Sequence, residues 1–231
     1  MAKVFKMKNK HAVREKGSVP FAVVEAYKSI RTNLVYTLLH TDKKSFVVSS
    51  PSQGEGKSTT SVNIAVAFSQ LGEKVLLVDA DLRVPNIHRK LKISNQQGLS
   101  SLLVGMSTFE ESVNHISNGL DVLTSDAIPP NPSELLSSEK MEMFISAAEK
   151  IYDRVVIDTP PIGVVSDALA FASKTAGVVL VVRSKNTTHD EVDKMVSAIE
   201  FSGAKVLGAV INGISNSNRK DKNDKYGKYG K

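Results

Sequence analysis

The chain carries short, mainly apolar runs, the weakest of them at 121–123, that alternate with segments of helical periodicity. The runs lie at 46–48, 75–78, 121–123, 154–157, 177–182 and 206–211, and the helical segments at 21–39, 58–71, 133–151 and 188–202. A strand covered by helices on both faces reads as a continuous apolar run, whereas a half-exposed strand alternates. The pattern therefore predicts an α/β fold in three layers, with a mainly parallel central sheet flanked by helices. Ser133 and Thr188 are the predicted N-caps of the last two helices, and Gly72 and Gly203 are predicted to end helices.

Length and composition limit the number of domains and the cellular setting. The 231 residues are 41% hydrophobic, which suffices for one sizeable core but hardly for two domains. The sequence has no run of 18 apolar residues, so it predicts neither a membrane-spanning helix nor a signal peptide. It also has no cysteine, which fits a reducing compartment. These features predict a soluble intracellular protein.

The net charge of +6 is concentrated at the two ends of the chain. Residues 1–16 hold six Lys/Arg and one Glu, and residues 219–231 hold six Lys/Arg and two Asp, so the part between them is mildly acidic. This division predicts a flexible basic arm at 1–19, a folded domain at 20–212 and a disordered tail at 213–231. The charged ends could meet an acidic membrane or partner, or simply maintain solubility. We expect no nucleic-acid partner.

A glycine-bearing loop between the first strand and the following helix predicts a phosphate site. In S-S-P-S-Q-G-E-G-K-S-T (49–59), backbone amides and the positive end of the helix would converge on a triphosphate. Lys57 would bridge the β and γ phosphates, and the Ser58 hydroxyl would bind Mg²⁺. Pro51 stands where the usual pattern has glycine, and an ordinary glycine-rich turn is the alternative reading. The predicted ATP-binding residues here are Gln53, Gly54, Glu55, Gly56, Lys57, Ser58 and Thr59.

Two other strands are followed by aspartates. V-D-A-D-L-R (78–83) and V-V-I-D-T-P-P (155–161) place Asp79, Asp81 and Asp158 at the carboxyl ends of apolar runs. In open parallel sheets ligands bind beyond those ends, and carboxylate oxygens suit Mg²⁺. Each aspartate alone could merely cap a helix or turn. The three features together favour a magnesium–nucleotide site.

These three motifs together resemble those of the bacterial tyrosine kinases. The resemblance is strongest to the separate cytoplasmic catalytic subunits of capsular and exopolysaccharide loci, and it covers about residues 20–231. The stretches P-P-N-P-S-E-L-L-S-S (129–138) and E-A-Y-K-S-I-R (25–31) add to it. The resemblance implies a P-loop NTPase fold and an ATP-dependent protein-tyrosine kinase that needs Mg²⁺.

Roles of individual residues follow from the resemblance. Lys57 and the loop would hold ATP, and Asp81 would help to hold Mg²⁺ together with Ser58. Asp79 would orient or deprotonate the acceptor hydroxyl, and Asp158 would orient a water of the metal. Asn212 would read the adenine base.

The resemblance also implies partners. Glu25, Lys28 and Arg31 match an oligomerisation motif, with Lys28 in place of an arginine, and would close a homo-oligomeric ring; a solvated charged helix face is the alternative. Tyr226 and Tyr229 would be acceptors in the tail of a neighbouring subunit, although a tail that only aids solubility is the alternative. A transmembrane adaptor on a separate chain would activate the kinase and recruit it from the cytoplasm to the inner face of the cell membrane. A cognate tyrosine phosphatase would reverse the modification.

Two other functions remain open from the sequence. A switch ATPase of the partition or septum-positioning type shares the expected fold, but it carries an extra lysine where this chain has Ser52. A non-catalytic nucleotide-binding regulator of polysaccharide export would need the same pocket. Incubation with labelled ATP separates the three.

Overall fold

The computed structural model of the chain describes residues 21–214, and these form one α/β unit. The predicted arm at 1–19 and residues 215–231 of the predicted tail lie outside the described residues. The seven strands are β1 (Ser45–Ser49), β2 (Val75–Asp79), β3 (Val113–Ser117), β4 (Leu120–Leu123), β5 (Arg154–Asp158), β6 (Val178–Arg183) and β7 (Val206–Asn212). The helices are α1 (Phe21–Leu38), α2 (Lys57–Ser69), α3 (Ile87–Leu91), α4 (Leu99–Val104), α5 (Phe109–Ser112), α6 (Pro132–Leu136), α7 (Glu139–Ile151), α8 (Leu169–Ala172) and α9 (His189–Phe201).

The strands form a single sheet in the order β3-β4-β2-β5-β1-β6-β7. Every neighbouring pair is parallel except β3–β4 at one edge. The predicted α/β class with a mainly parallel sheet is thus confirmed. β2, β5 and β1 are adjacent, so their carboxyl ends meet at one place on the sheet edge, as a parallel arrangement requires.

The core lies on both faces of the sheet. Val47, Leu76 and Val155 belong to the apolar cluster on one face, while Phe46 and Leu77 belong to the cluster on the other. Alternate residues of each strand point to opposite faces, so both faces must be covered for all of them to be buried. Burial of each such side chain contributes about 1.5–3 kcal/mol, which explains why the strand interiors are uniformly aliphatic.

One predicted helix is two helices in the structure. The segment 133–151 breaks after α6, because Ser138 leaves the helical conformation and its hydroxyl accepts the amide of Met141 to begin α7. Ser133 is therefore not the N-cap: it lies inside α6, and its hydroxyl donates to Asp167. Thr188, by contrast, caps α9 as predicted, in a reciprocal pair with Glu191.

Several short elements had no clear signal in the sequence. α3, α4, α5, α8 and the antiparallel strand β3 are each only four to six residues long. Segments this short do not complete a hydrophobic period, and tertiary contacts determine their conformation. Within residues 21–214, every helix is too short or too polar to cross a bilayer.

Candidate active site

The phosphate loop connects β1 to α2 across the carboxyl edge of the sheet. Gly54 and Gly56 adopt the left-handed conformation, with φ of 80° and 96°, which costs glycine little and other residues more. A β-carbon at Gly56 would also overlap the side-chain amide of Asn212. The second glycine is therefore required both for the turn and for the close approach of β7. α2 begins at Lys57, so its free amides face the loop.

Lys57 lies between two of the predicted metal carboxylates. Its Nζ is 2.9 Å from Asp81 Oδ2 and 3.5 Å from Asp158 Oδ2, and it is 3.4 Å from the Ser58 hydroxyl. Burial lowers the pKa of Lys57, but Asp158 and Asp81 more than offset this and raise the pKa above its ordinary value. The lysine is thus held in its charged form.

The residues around Lys57 fit a hydrated Mg²⁺. Asp158 is fully buried, and although its Oδ1 accepts the Ser61 hydroxyl at 2.9 Å, its Oδ2 accepts no hydrogen bond. Burial raises the pKa of Asp158 by more than the charge of Lys57 and the hydroxyls of Ser58 and Ser61 lower it. Among residues 21–214, no three His, Cys, Asp or Glu side chains are grouped as a complete metal cage. Mg²⁺ commonly binds through one or two carboxylates, with phosphate and water supplying the other ligands.

Asp79, predicted to orient or deprotonate the acceptor hydroxyl, lies in the interior of the fold. Its side chain is fully buried, and its Oδ2 accepts the amides of Asn86 and Ile87 at 3.1 and 3.0 Å. Its Oδ1 accepts the amide of Asp81. Burial, and then the charge of Asp158, raise the pKa of Asp79 to about 7. The carboxylate therefore holds the start of α3 and the loop that carries Asp81, and it does not line the cavity.

Glu55 and Asn212 join the phosphate loop to the end of the sheet. The buried Glu55 carboxylate accepts the Arg183 amide and the Thr187 hydroxyl, the latter at 2.6 Å. The Asn212 side-chain amide donates to the Glu55 carbonyl at 3.0 Å. Glu55, predicted only as part of the nucleotide loop, thus also anchors that loop to the segment after β6. Arg183 and Thr187 follow an apolar run without any motif, so the sequence contained no signal for them.

These groups surround one cavity of about 810 Å³. Most of the predicted nucleotide-binding residues line it, as does Asp81, whereas Glu55, Asp79 and Asp158 lie behind its surface. Other residues, which the sequence did not predict as part of the site, also line the wall; they are Tyr27, Val84, Asn86, Lys90, Pro161, Arg183 and Gly213. Lys90 donates to the Thr59 hydroxyl at 3.1 Å. The cavity is thus open from Asp81 at one end to Arg183 and Asn212 at the other.

The predicted oligomer residues are partly engaged within the chain. Lys28 and Glu25 form an exposed ion pair at 2.8 Å on α1. Arg31 is turned toward α2, where its guanidinium donates to the Ala67 carbonyl at 2.9 Å. The geometry of the chain therefore gives no support to the prediction that Arg31 faces a partner together with Glu25 and Lys28. Tyr226 and Tyr229 lie outside the described residues.

Known proteins are similar to this chain in sequence and in structure. A family described as "ParA: NUBPL iron-transfer P-loop NTPase" matches residues 41–231. The tyrosine-protein kinase YwqD of Bacillus subtilis is 44% identical over 82% of this chain and 80% of its own length. The crystal structure of the chimerical protein CapA2B2 has a TM-score of 0.78 and 40% identity, covering 91% of this chain and 93% of the other.

A further solved structure is the kinase domain of the Escherichia coli tyrosine kinase ETK. It has a TM-score of 0.82 and 30% identity, covering 96% of this chain and 91% of its own. The alignment with YwqD runs over 190 residues. Sequence, fold and site agree: the chain belongs to the bacterial tyrosine kinase family of P-loop proteins.

Proposed function

We propose that the chain is an ATP-dependent protein-tyrosine kinase that autophosphorylates Tyr226 and Tyr229 between subunits. Its output would regulate the synthesis and export of a capsular polysaccharide or exopolysaccharide. The observation that carries this proposal is the cavity in which Lys57, Ser58 and Asp81 meet the phosphate loop. Phosphoryl transfer depends mainly on positioning and charge neutralisation, and this cavity concentrates groups suited to both.

Binding of ATP requires Lys57 to change partners. In the structure its ammonium is paired with Asp81 and Asp158, whereas a triphosphate in the loop would draw it toward the β and γ phosphates. The loop amides and the first turn of α2 would hold the remaining phosphate oxygens. Asn212 and Arg183 border the other end of the cavity, where the base would lie.

Ser58, Asp81 and Asp158 would hold Mg²⁺, directly or through water. When bound, the metal neutralises charge on the transferred phosphoryl group. Departure of Lys57 would leave both carboxylates without their cation. Asp158 Oδ2 is buried and accepts no hydrogen bond, so once Lys57 had left it would gain most from a replacement cation.

The acceptor tyrosine would approach beside Asp81 and Val84. Its hydroxyl oxygen would form a bond to the γ phosphorus while the bond to the ADP oxygen breaks, and the phenolic proton would leave to a carboxylate or to water. Asp79, with a pKa near 7, could serve as that base only if it released the amides of Asn86 and Ile87. The geometry therefore favours an anchoring role for Asp79.

We also propose that the kinase acts at the membrane through other proteins. A transmembrane adaptor on a separate chain would recruit it from the cytoplasm and activate it, a ring of subunits would bring tails to neighbouring sites, and a tyrosine phosphatase would reset it. Membership in the family supports this part of the proposal. The separate catalytic subunits that this chain resembles are expected to work with such partners.

The test is incubation of the pure full-length chain with labelled ATP and Mg²⁺, with and without the cytoplasmic segment of a candidate adaptor. Mass spectrometry should find phosphate on Tyr226 or Tyr229. Lys57→Met should reduce labelling at least about 100-fold, because it removes a cation from the transferred phosphate. Lys194→Met, which changes an exposed lysine on α9, is the matched control and should label normally.

The alternatives predict different products. Release of inorganic phosphate without label on the protein would indicate a switch ATPase, which the match to a ParA-type family makes worth testing. Nucleotide binding without either product would indicate a regulator. Either result with the adaptor present would overturn the kinase proposal.

A further inference from the structure

Arg83 connects three loops at the carboxyl edge of the sheet. It lies in the loop after β2, two residues beyond Asp81. Its guanidinium contacts Asp167, in the segment after β5, and Ser133, in the α6 helix that follows β4. β4, β2 and β5 are consecutive strands of the sheet. Arg83 therefore ties the loop of the central strand to the loops of both its neighbours.

The contacts form a closed network of hydrogen bonds. Arg83 Nε donates to Asp167 Oδ2 at 2.7 Å, and Nη2 donates to Asp167 Oδ1 at 3.2 Å. Nη2 also donates to the Ser133 hydroxyl at 2.9 Å, and that hydroxyl donates to Asp167 Oδ1 at 2.7 Å. Bidentate pairing fixes both distance and orientation, which a lysine cannot reproduce.

Asp167 is the buried member of this network. Its side chain is 2% exposed, against 40% for Arg83. Burial acts to raise the pKa of Asp167, but hydrogen bonds from Arg83 and Ser133 outweigh it and the pKa falls below its ordinary value. The carboxylate is thus charged and depends on Arg83 as its cation, so the network resists separation of the loops.

The loop that Arg83 holds is the one that presents Asp81 to the cavity. The amide of Val84, next to Arg83, donates to Asp81 Oδ1 at 3.0 Å. Val84 and Asn86 of the same loop line the cavity. A shift of this loop would therefore turn the Asp81 carboxylate and move the adjoining wall together.

We propose that Arg83, Asp167 and Ser133 form a positioning clamp that sets the orientation of Asp81 for Mg²⁺ and shapes the acceptor side of the cavity. The acceptor part of this inference rests on the proposed kinase function, whereas the metal part requires only nucleotide binding. The clamp also gives a role to Ser133 in the stretch P-P-N-P-S-E-L-L-S-S, to which the proposed kinase mechanism assigns no role.

The test uses the full-length chain and three variants. Arg83→Lys keeps the charge and loses the bidentate geometry, Asp167→Asn removes the buried charge, and Ser133→Ala removes one hydrogen-bond partner. Arg89→Lys, at an exposed arginine of α3, is the matched control. Calorimetry measures ATP affinity with and without Mg²⁺, melting temperature reports folding, and tail phosphorylation gives kcat and KM.

We expect Arg83→Lys and Asp167→Asn to reduce the Mg²⁺-dependent gain in ATP affinity by about 10–100-fold, the usual effect of losing a residue that orients a metal ligand. ATP affinity without Mg²⁺ should remain within about twofold, because the phosphate loop is untouched. kcat should fall in parallel while KM for ATP at saturating Mg²⁺ changes less. Ser133→Ala should show a smaller loss of the same kind, and it keeps the test valid if Asp167→Asn does not fold.

Two results would overturn the clamp. One is a lowered melting temperature with an intact Mg²⁺-dependent gain, which would make the network purely structural. The other is an equal loss in Arg89→Lys. If the wild-type tail stays unmodified but Arg83→Lys still loses the Mg²⁺-dependent gain, the kinase proposal fails and the clamp stands.

Discussion

Lys57 lies between two buried carboxylates at the candidate site. Its ammonium neutralises Asp81 and Asp158, two buried carboxylates whose mutual repulsion would otherwise be costly. The same lysine is the expected phosphate ligand. When nucleotide draws it away from Asp81 and Asp158, a metal ion must take its place beside the two carboxylates. Binding of Mg²⁺ alone should consequently be weak, because it would have to displace a cation already in place.

The titration of Asp79 makes stability depend on pH. Its pKa is about 7 in the folded protein against an ordinary value of 3.8, so the folded state binds the proton more tightly than the unfolded state does. The stabilisation is complete below about pH 4 and is lost as the pH rises through about 7. The free energy of unfolding, measured without nucleotide, should therefore fall between these limits.

Asp79→Asn tests this dependence directly. The amide cannot ionise, so the fall in the free energy of unfolding between pH 5 and pH 8 should be shallower than in the wild type, as followed by urea denaturation at each pH. The pKa of Asp158 is also raised, so part of the fall in the free energy of unfolding with pH should remain in Asp79→Asn. An unchanged slope in Asp79→Asn would contradict the assignment.

At the scale of elements, capping residues fix where helices begin, as at the start of α9. Thr188 accepts the amide of Glu191, and Glu191 in return accepts the amide and hydroxyl of Thr188 at 2.8 and 2.9 Å. Thr188→Ala should destabilise the protein by about 1 kcal/mol, a drop of roughly 2–4 °C in melting temperature for a chain of this size. Differential scanning calorimetry would measure it.

Thr37→Ala is the control for the cap. Thr37 is exposed in the last turn of α1, where its hydroxyl donates to the Asn33 carbonyl. Replacement there removes the same atoms from a helical position that is not an N-cap, where alanine is the better helix former. A melting temperature as low as that of Thr188→Ala would show that loss of a threonine, and not of a cap, causes the effect.

At the scale of the whole molecule, different residues of α1 are expected to affect assembly and stability. Glu25 and Lys28 are exposed and paired with each other, whereas Arg31 donates to α2 within the chain. If α1 is the interface of the proposed ring, Glu25→Lys should shift the species seen by light scattering toward smaller sizes with little change in melting temperature. Arg31→Ala should instead lower stability by about 1 kcal/mol, because it removes an internal hydrogen bond.

Glu200→Lys on α9 controls for the charge reversal. Glu200 is exposed on α9, which packs on the opposite face of the sheet from α1, and the substitution makes the same change of two charges. Its assembly should match that of the wild type at the same ionic strength. The interface assignment would be wrong if Glu25→Lys and Glu200→Lys assembled alike.

The sequence alone determined the class of the fold and the loop and aspartates of the site. A buried parallel strand needs a run of apolar residues, and a phosphate loop needs glycines and a lysine close together in sequence. The loop at 49–59 and the strand-end residues Asp81 and Asp158 could therefore be predicted from short stretches of sequence. Tertiary structure decided which groups face the cavity. The burial of Asp79 beneath α3, the tie from Glu55 to Thr187 and the Arg83 network join residues far apart along the chain, and such pairings arise only when the strand order brings their loops together.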